Sequence, residues 1–244
     1  MRPVLFQIGS LPIFAYGVFV LLGSVLLFIV ALGLARRAGY SWEQLIPVAL
    51  GVMVGSVFGA RLSHLLVEPG RLSELLDFYS LFRPGTPGNI LGLIVGGFLG
   101  GMVLRYRFDL PSQGNFYAPA IAAASVVWRI GCTLAGCCHG TATSLPWAIH
   151  LHGETVHPTM IYEGLLNLGL LIILWRVKDR SWPDNALMYF YLAVYCLFRF
   201  WLEFIRLYPP VLWGLTGIQW LCLAILSWTG LWWLSQHRIY SPQA

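Results

Sequence analysis

The stretch FAYGVFVLLGSVLLFIVALGLARR, from Phe14 to Arg37, carries no charge before its closing pair of arginines. A helix needs about 20 mostly apolar residues to cross the hydrocarbon core of a bilayer. The stretch is therefore predicted to form a membrane-spanning helix. Its apolar run is too long for a cleaved signal, and no small-residue cleavage pattern precedes Arg36, so we expect this helix to stay in the protein.

The same pattern recurs along the chain, whose 244 residues are 58% hydrophobic and only 10% charged. Seven windows are predicted to span a membrane, and they cover residues 14–35, 44–67, 88–104, 116–136, 158–175, 185–206 and 214–235. The third and fourth windows are rich in Gly and Ala, which favours close helix–helix contact. Since no room remains for a separate soluble domain, residues 1–244 are predicted to form one all-α integral membrane domain.

Basic residues in the predicted loops indicate the orientation of the chain. The loops that share a side with the N-terminus hold few of them: Arg2, Arg71 and Arg83. The opposite loops hold Arg36, Arg37, Arg105, Arg107, Arg176, Lys178, Arg180 and Arg238. The chain is therefore predicted to place its N-terminus outside and its C-terminus in the cytoplasm. This bias accounts for most of the net charge of +5, and no basic patch with interleaved aromatic residues indicates nucleic-acid binding.

A polar stripe interrupts the sixth window in the segment YCLFRFWLEFIR. Tyr195, Arg199, Glu203 and Arg206 are spaced four, four and three apart, which predicts that they share one helix face. The stripe is either a structural ion pair or the lining of a cavity. We favour the cavity, because one carboxylate leaves a spare positive charge that suits a lipid phosphate.

Two further segments place polar groups beside apolar runs. In GARLSHLL, Arg61 and His64 share a face of the second window, either as a pair that reaches the interface or as part of a site. In RIGCTLAGCCHG, Arg129 to Gly140, the glycines allow the helix to break, and irregular backbone at membrane depth requires a protein-lined cavity. The second segment is therefore predicted to line a site.

Histidines are concentrated in HLHGETVHPTMIYE, from His150 to Glu163. His150 and His152 are predicted to lie in an extended piece, and His157 is placed to hydrogen-bond near Tyr162 or Glu163. These histidines and the nearby cysteines suggest a metal site, but the spacing C-x4-C-C-H matches no standard zinc pattern. We therefore expect neither a metal nor another cofactor.

Taken in this order, the motifs resemble the bacterial prolipoprotein diacylglyceryl transferases. The resemblance covers most of the chain and is carried by AYG, GARLSH, the RIG segment, PWAI, HPTMIYE, FRFWLEFIR and the final GIQW. It implies a multi-pass protein of the bacterial inner membrane that moves diacylglycerol from phosphatidylglycerol to the thiol of a lipobox cysteine. The partners it implies are therefore the phospholipid and a thiol acceptor such as a prolipoprotein.

The resemblance also implies roles for individual residues, with Arg129 and Arg199 holding the lipid phosphate. The candidate catalytic residues are Arg129, Arg199, Cys137, His139 and Glu203. The candidate substrate-binding residues are Tyr16, Arg61, Cys132, Cys138, Gly140, His157, Tyr162, Glu163, Tyr195 and Arg206.

This chain departs from the family pattern where the family handles protons. Leu91, in GNILGLIVGG, stands where the family carries a histidine proposed as the base. Cys132 stands where the family usually has Asn, and Cys137 where it usually has an acidic residue. His139 is the first candidate for a replacement base, with His64 and His157 behind it.

The cysteines leave three roles open: buried apolar side chains, partners in a disulfide, or a nucleophile that an adjacent Arg129 activates. Two rival functions also remain, a membrane thiol–disulfide oxidoreductase and a transporter of sulfur compounds that uses the Cys-Cys-His motif. The oxidoreductase leaves the arginine stripe unexplained, and no inverted repeat indicates a transporter.

Overall fold

The computed structural model describes residues 3–9, 11–67, 89–151 and 153–240, without the side chains of residues 8, 11, 64–67 and 237–240. Within these ranges seven helices are long and apolar enough to cross a membrane. They are α1 (Ala15–Arg37), α2 (Trp42–Val67), α3 (Ile90–Arg107), α4 (Gly114–Ala135), α5 (Thr159–Val177), α6 (Ala186–Leu202) and α7 (Gly217–Tyr240). Each predicted window coincides with one helix, so the predicted all-α membrane fold is confirmed.

In the described part of the chain, two short antiparallel hairpins lie outside the helices. One joins β1 (Val4–Ile8) to β2 (Leu11–Phe14), immediately before α1. The other joins β3 (Ile149–Leu151) to β4 (Glu154–Val156), between α4 and α5. The extended conformation predicted for His150 is confirmed, while His152 lies outside the described residues.

Local signals fix the helix ends that matter for the site. Asn89 caps α3, since its side chain accepts a hydrogen bond from the Leu91 amide at 2.9 Å. Gly136 ends α4 in the left-handed conformation, with φ of 69°. The helix α6 ends at Leu202, and a 3₁₀ turn over Glu203–Ile205 follows it.

Glycines bring α2 and α3 into backbone contact. Along the contact, Gly55 faces Gly96 and Gly59 faces Gly92, and a Cβ atom on any of the four would overlap a backbone oxygen of the opposite helix. Such small-residue stripes let membrane helices approach closely. The close packing predicted for the Gly-rich third window is therefore confirmed.

Three of the remaining helices, α1, α5 and α6, pack against the Ala-rich α4, and α7 packs on α6. Because α1 packs mainly on α4 and α2 mainly on α3, the first two helices touch each other only slightly. A gap is left between α1 and α2. Since seven spans alternate in direction, the C-terminal ends of α4 and α6 lie on the same side as the N-terminal ends of α1, α3, α5 and α7. All of the polar segments described below come together at that side.

Candidate active site

Three arginines and two glutamates form a buried ion cluster at this end of the bundle. Arg129 lies near the end of α4, Glu163 in the second turn of α5, and Arg199 near the end of α6. Glu203 lies in the 3₁₀ turn and Arg206 directly after it. All five side chains are at most 8% exposed.

Glu163 is the centre of the cluster. One carboxylate oxygen, Oε2, contacts Nη2 of Arg129, and the other, Oε1, lies 2.8 Å from Nη1 of Arg206. Nη1 of Arg199 lies 4.0 Å from Oε1 of Glu163 and 2.7 Å from Oε2 of Glu203. The predicted pairing of Arg199 with Glu203 is confirmed, and three helices are tied together through Glu163.

Neutral side chains hold the two carboxylates in position. The Tyr195 hydroxyl donates a hydrogen bond to Oε2 of Glu163 at 3.0 Å, and the Thr216 hydroxyl donates one to Oε1 of Glu203 at 3.0 Å. Asn167 donates to the Glu163 carbonyl at 2.8 Å and accepts from the Tyr191 hydroxyl at 2.9 Å. The carboxylates therefore have little freedom to follow a moving arginine.

The cluster has more guanidinium groups than carboxylates, and several of its buried polar atoms have no hydrogen-bond partner among the described residues. Among the described residues, three guanidinium groups face two carboxylates, an excess of one positive charge. Nε of Arg129, Nη1 of Arg199 and Nε of Arg206 are buried and have no hydrogen-bond partner among the described residues. Nη1 of Arg199 and Oε2 of Glu203 lie 2.7 Å apart but are not aligned as a hydrogen bond, so this oxygen also has no hydrogen-bond partner among the described residues. Because buried donors are nearly always satisfied, this arrangement calls for an anion.

A cavity of about 180 Å³ opens beside the cluster. Its polar wall is formed by Arg129, Arg199 and Arg206, together with the sulfur-bearing Cys132 and Cys138. The rest of the lining comes from α1, α2, α3, α4 and α7, from the cap of α3 and from the loop before α7: Tyr16, Val20, Ala60, Asn89, Ile90, Leu93, Trp128, Tyr208 and Ile218. The cavity is thus cationic on one side and apolar on the other.

An apolar groove of about 430 Å³ continues from this cavity between α1 and α2. Val20, Ala60, Leu93 and Trp128 line both spaces, so the two are contiguous. The groove is otherwise lined mainly by aliphatic and aromatic side chains, with Arg61 at one side. An amphipathic anion would fit with its charged group in the cavity and its apolar part in the groove.

The Cys-rich segment follows α4 and borders the cavity. The sulfurs of Cys132, Cys137 and Cys138 lie within 4.8 Å of one another, and all three cysteines are free. Hydrogen bonds from the thiols of Cys132 and Cys137, and then the nearby Arg129 and Arg206, hold the pKa of the Cys138 thiol well below its usual range. Arg129 and Arg206 therefore act on the Cys138 sulfur as well as on Glu163.

Six of the predicted site residues line the cavity: Tyr16, Arg129, Cys132, Cys138, Arg199 and Arg206. Three others, Glu163, Tyr195 and Glu203, lie behind the arginines and support them. Arg61 lines the groove, and it already has an interaction partner. The side chain of His64 lies outside the described residues.

The remaining predicted residues lie off the cavity wall. His139 Nδ1 lies 3.1 Å from the Gly140 carbonyl oxygen, and Gly140 itself forms a β-bridge with Arg206. His157 Nδ1 lies 3.4 Å from the Tyr162 hydroxyl, as predicted, but Tyr162 also accepts a hydrogen bond from Trp147. Cys137 reaches the site only through the other two cysteines.

Two sequence-based expectations about this site are wrong. Arg206 does not share a helix face with Arg199, because α6 ends before it, and its partner is Glu163 rather than Glu203. The stripe also does not have a single carboxylate, because Glu163 reaches it from α5. Sequence reasoning missed Asn89, Trp128 and Tyr208 as lining residues. An Asn directly before an apolar run was the signal for the first of these, since it indicates a helix cap.

The fold and the site together define an α-helical multi-pass membrane protein with a cationic internal cavity. The family model described as prolipoprotein diacylglyceryl transferase matches residues 3–234, and the chain belongs to that family. The family resemblance predicted from the motifs is thereby confirmed.

Several relatives carry the name phosphatidylglycerol–prolipoprotein diacylglyceryl transferase. The protein of Clostridium tetani is 26% identical, over 84% of this chain and 86% of the relative. That of Oleidesulfovibrio alaskensis is 30% identical, over 84% of this chain and 79% of the relative. That of Gloeobacter violaceus is 27% identical, over 96% of this chain and 93% of the relative.

Proposed function

We propose that this protein transfers the diacylglyceryl group of phosphatidylglycerol to a thiol acceptor, such as the lipobox cysteine of a prolipoprotein, in the bacterial inner membrane. The observation that carries the proposal is the set of three buried arginines with unmet N–H donors beside an apolar groove. The names of the relatives supply the substrates. Neither rival function, disulfide exchange or transport, accounts for this combination.

The polar headgroup of the phospholipid fits the cationic cavity, and its acyl chains fit the apolar groove. Its phosphate accepts hydrogen bonds from Arg129, Arg199 and Arg206, and its single negative charge balances the spare positive charge of the cluster. Its acyl chains lie in the groove between α1 and α2, where the adjoining surface faces the membrane. This placement brings the glycerol carbon that bears the phosphate to the mouth of the polar cavity.

The reaction is a substitution at that glycerol carbon. The acceptor sulfur attacks as a thiolate, the new S–C bond forms, and the C–O bond to phosphate breaks. The electron pair stays on the departing glycerol phosphate, which carries away the proton given up by the thiol or leaves it to solvent. Guanidinium groups fixed beside the phosphate stabilise the charge that develops on this leaving group, and burial strengthens the effect.

The predicted orientation places this chemistry at the outer face of the membrane. All of the site's segments lie on the side of the bundle that holds the N-terminal end of α1. With the N-terminus outside and the C-terminus in the cytoplasm, an exported acceptor peptide would meet the site directly after crossing the bilayer.

Mass spectrometry tests the proposed reaction. The purified protein is incubated with phosphatidylglycerol labelled in its diacylglyceryl part and with a lipobox peptide. We expect the peptide to gain the labelled group on its cysteine sulfur, with glycerol phosphate released in equal amount. A peptide that stays unmodified, while a relative named for this activity modifies it in the same vesicles, contradicts the proposal.

Filling the junction between the cavity and the groove tests the placement of the acyl chains. Ala60→Trp adds a large ring at a position that lines both spaces. We expect KM for phosphatidylglycerol to rise at least about 10-fold, or about 1.4 kcal/mol, with the melting temperature little changed. The control is Val54→Trp on the same helix, where the side chain is exposed and lines neither space. An unchanged KM in Ala60→Trp would show that the acyl chains do not bind at this junction.

A further inference from the structure

The end of α4 folds three cysteines toward one point. Cys132 lies in the last turn of the helix, and two left-handed residues follow, Gly136 with φ of 69° and Cys138 with φ of 62°. A left-handed conformation is uncommon for a residue with a side chain, so the surrounding structure must hold Cys138 in it. The Thr159 hydroxyl does so by donating a hydrogen bond to the Cys138 carbonyl.

The surroundings of this cluster are apolar on one side and cationic on the other. Leu151, Val156 and Met160 pack with Cys132 in a buried core that keeps water from the back of the sulfurs. On the other side, Nη1 of Arg129 lies 3.9 Å from the Cys132 sulfur. A neighbouring guanidinium stabilises thiolates, which are the form that binds metals.

We propose that Cys132, Cys137 and Cys138 bind one thiophilic divalent cation, Zn²⁺, through three thiolates. Sulfur-only donor sets select soft cations, and zinc accepts three or four thiolates in a tetrahedral arrangement. With Zn–S bonds of about 2.3 Å, tetrahedral sulfurs lie about 3.8 Å apart. The three sulfurs, already within 4.8 Å of one another, reach that spacing by small side-chain rotations.

Three protein ligands leave the fourth zinc position open, and the structure indicates where it points. Cys132 and Cys138 line the cavity, whereas Cys137 does not. The open position therefore faces the cavity and the arginines. Zinc sites that keep one position free are catalytic sites, while fully ligated ones are structural.

This site would activate the acceptor thiol, a role that rests on the proposed function. The thiol binds at the open position and loses its proton to solvent, because coordination to zinc deprotonates a thiol. The coordinated sulfur then forms the S–C bond to the glycerol carbon, the C–O bond breaks, and glycerol phosphate leaves with the electron pair. The proton released at the first step is taken up by that phosphate or stays in solvent, so no oxidant or further reactant is needed.

The proposal also accounts for the altered motif. Leu91 is fully buried in the core. Its aliphatic side chain cannot take up a proton. Among the described side chains, no histidine lines the cavity. A metal-bound thiolate supplies by coordination what a base would supply by proton transfer.

Cobalt titration tests the site without any lipid. The full-length protein is reduced in detergent micelles, stripped with a chelator and titrated with Co²⁺, whose thiolate complexes absorb in the near ultraviolet. We expect one equivalent to bind, with the intensity of several cobalt–thiolate bonds, and Zn²⁺ to displace it. Cys132→Ser and Cys137→Ser should each weaken Zn²⁺ binding at least about 100-fold, because changes to groups behind the ligands already cost 10- to 100-fold.

The chain offers matched controls in Cys196 and Cys222, which are free and buried between α6 and α7. Cys196→Ala and Cys222→Ala should bind one equivalent with unchanged affinity. The proposal is overturned if the reduced, folded wild type binds no stoichiometric Co²⁺, or if the protein lacking all three cluster cysteines binds it equally well. A disulfide among Cys132, Cys137 and Cys138 in the protein as isolated without reductant overturns it too.

The two proposals fail separately in these experiments. Transfer of the diacylglyceryl group by protein that binds no metal refutes the zinc site and leaves the proposed function standing. Stoichiometric binding at the three cysteines without any transfer supports the site and refutes the proposed function. If both hold, chelation should abolish transfer and added Zn²⁺ should restore it.

Discussion

Arg199→Lys is expected to lower kcat/KM for phosphatidylglycerol at least about 100-fold, the effect of removing one preorganised donor from a developing anion. The Arg199 side chain is only 4% exposed and lies between Glu163 and Glu203. A lysine ammonium can keep the ion pair with one carboxylate. It cannot at the same time present a second, coplanar N–H to phosphate, because it lacks the guanidinium fork.

The measurement is initial-rate transfer to a lipobox peptide over a range of phosphatidylglycerol concentrations in vesicles. Arg176→Lys is the matched control, since Arg176 is exposed in the last turn of α5, at the opposite end of the bundle. We expect that control to retain wild-type kinetics. If Arg199→Lys retains kcat/KM within about threefold, Arg199 does not bind the phosphate, and the cluster is structural.

The membrane fold could be predicted because its signal is local. Each span is an apolar run bounded by charges or glycines, and the bilayer sets its length. The end of α4 was predicted within one residue, since Gly136 is a strong helix terminator. The end of α6 was not, because the 3₁₀ turn over Glu203–Ile205 keeps the same apolar composition as the helix before it.

The candidate site could be predicted only in part, because its pairs join different helices. Spacing along α6 is enough to pair Arg199 with Glu203. Nothing in that spacing shows that Glu163, on α5, faces Arg129 and Arg206. The sequence nevertheless predicts the correct sign of the excess charge in the cluster. Arg129 and Glu163 add one positive and one negative charge to the stripe, so its net charge stays the same.

The cysteine cluster illustrates a different limit. The spacing C-x4-C-C would put Cys132 and Cys137 on different faces of a continuous helix. They converge because the chain reverses through Gly136 and through Cys138, whose positive φ no propensity would assign to a cysteine. The standard zinc patterns describe other turns, so the motif alone did not indicate that the three sulfurs lie close together.

The central carboxylate gives the largest expected effect on stability. Glu163→Gln removes the charge that Arg129 and Arg206 share, while it keeps the shape of the side chain. Breaking a buried ion pair by removing one partner costs about 3–5 kcal/mol, because the other charge remains buried and uncompensated. For a chain of this size we expect the melting temperature to fall by about 6–20 °C.

Thermal unfolding in detergent micelles, followed by circular dichroism, measures this fall. The matched control is Glu154→Gln in the exposed part of β4, which should leave the melting temperature unchanged. If the loss comes from uncompensated charge, adding Arg206→Met to Glu163→Gln should restore part of it, since the double variant keeps the net charge of the cluster. A single variant that melts within 2 °C of wild type would show that solvent or lipid, rather than Glu163, balances these arginines.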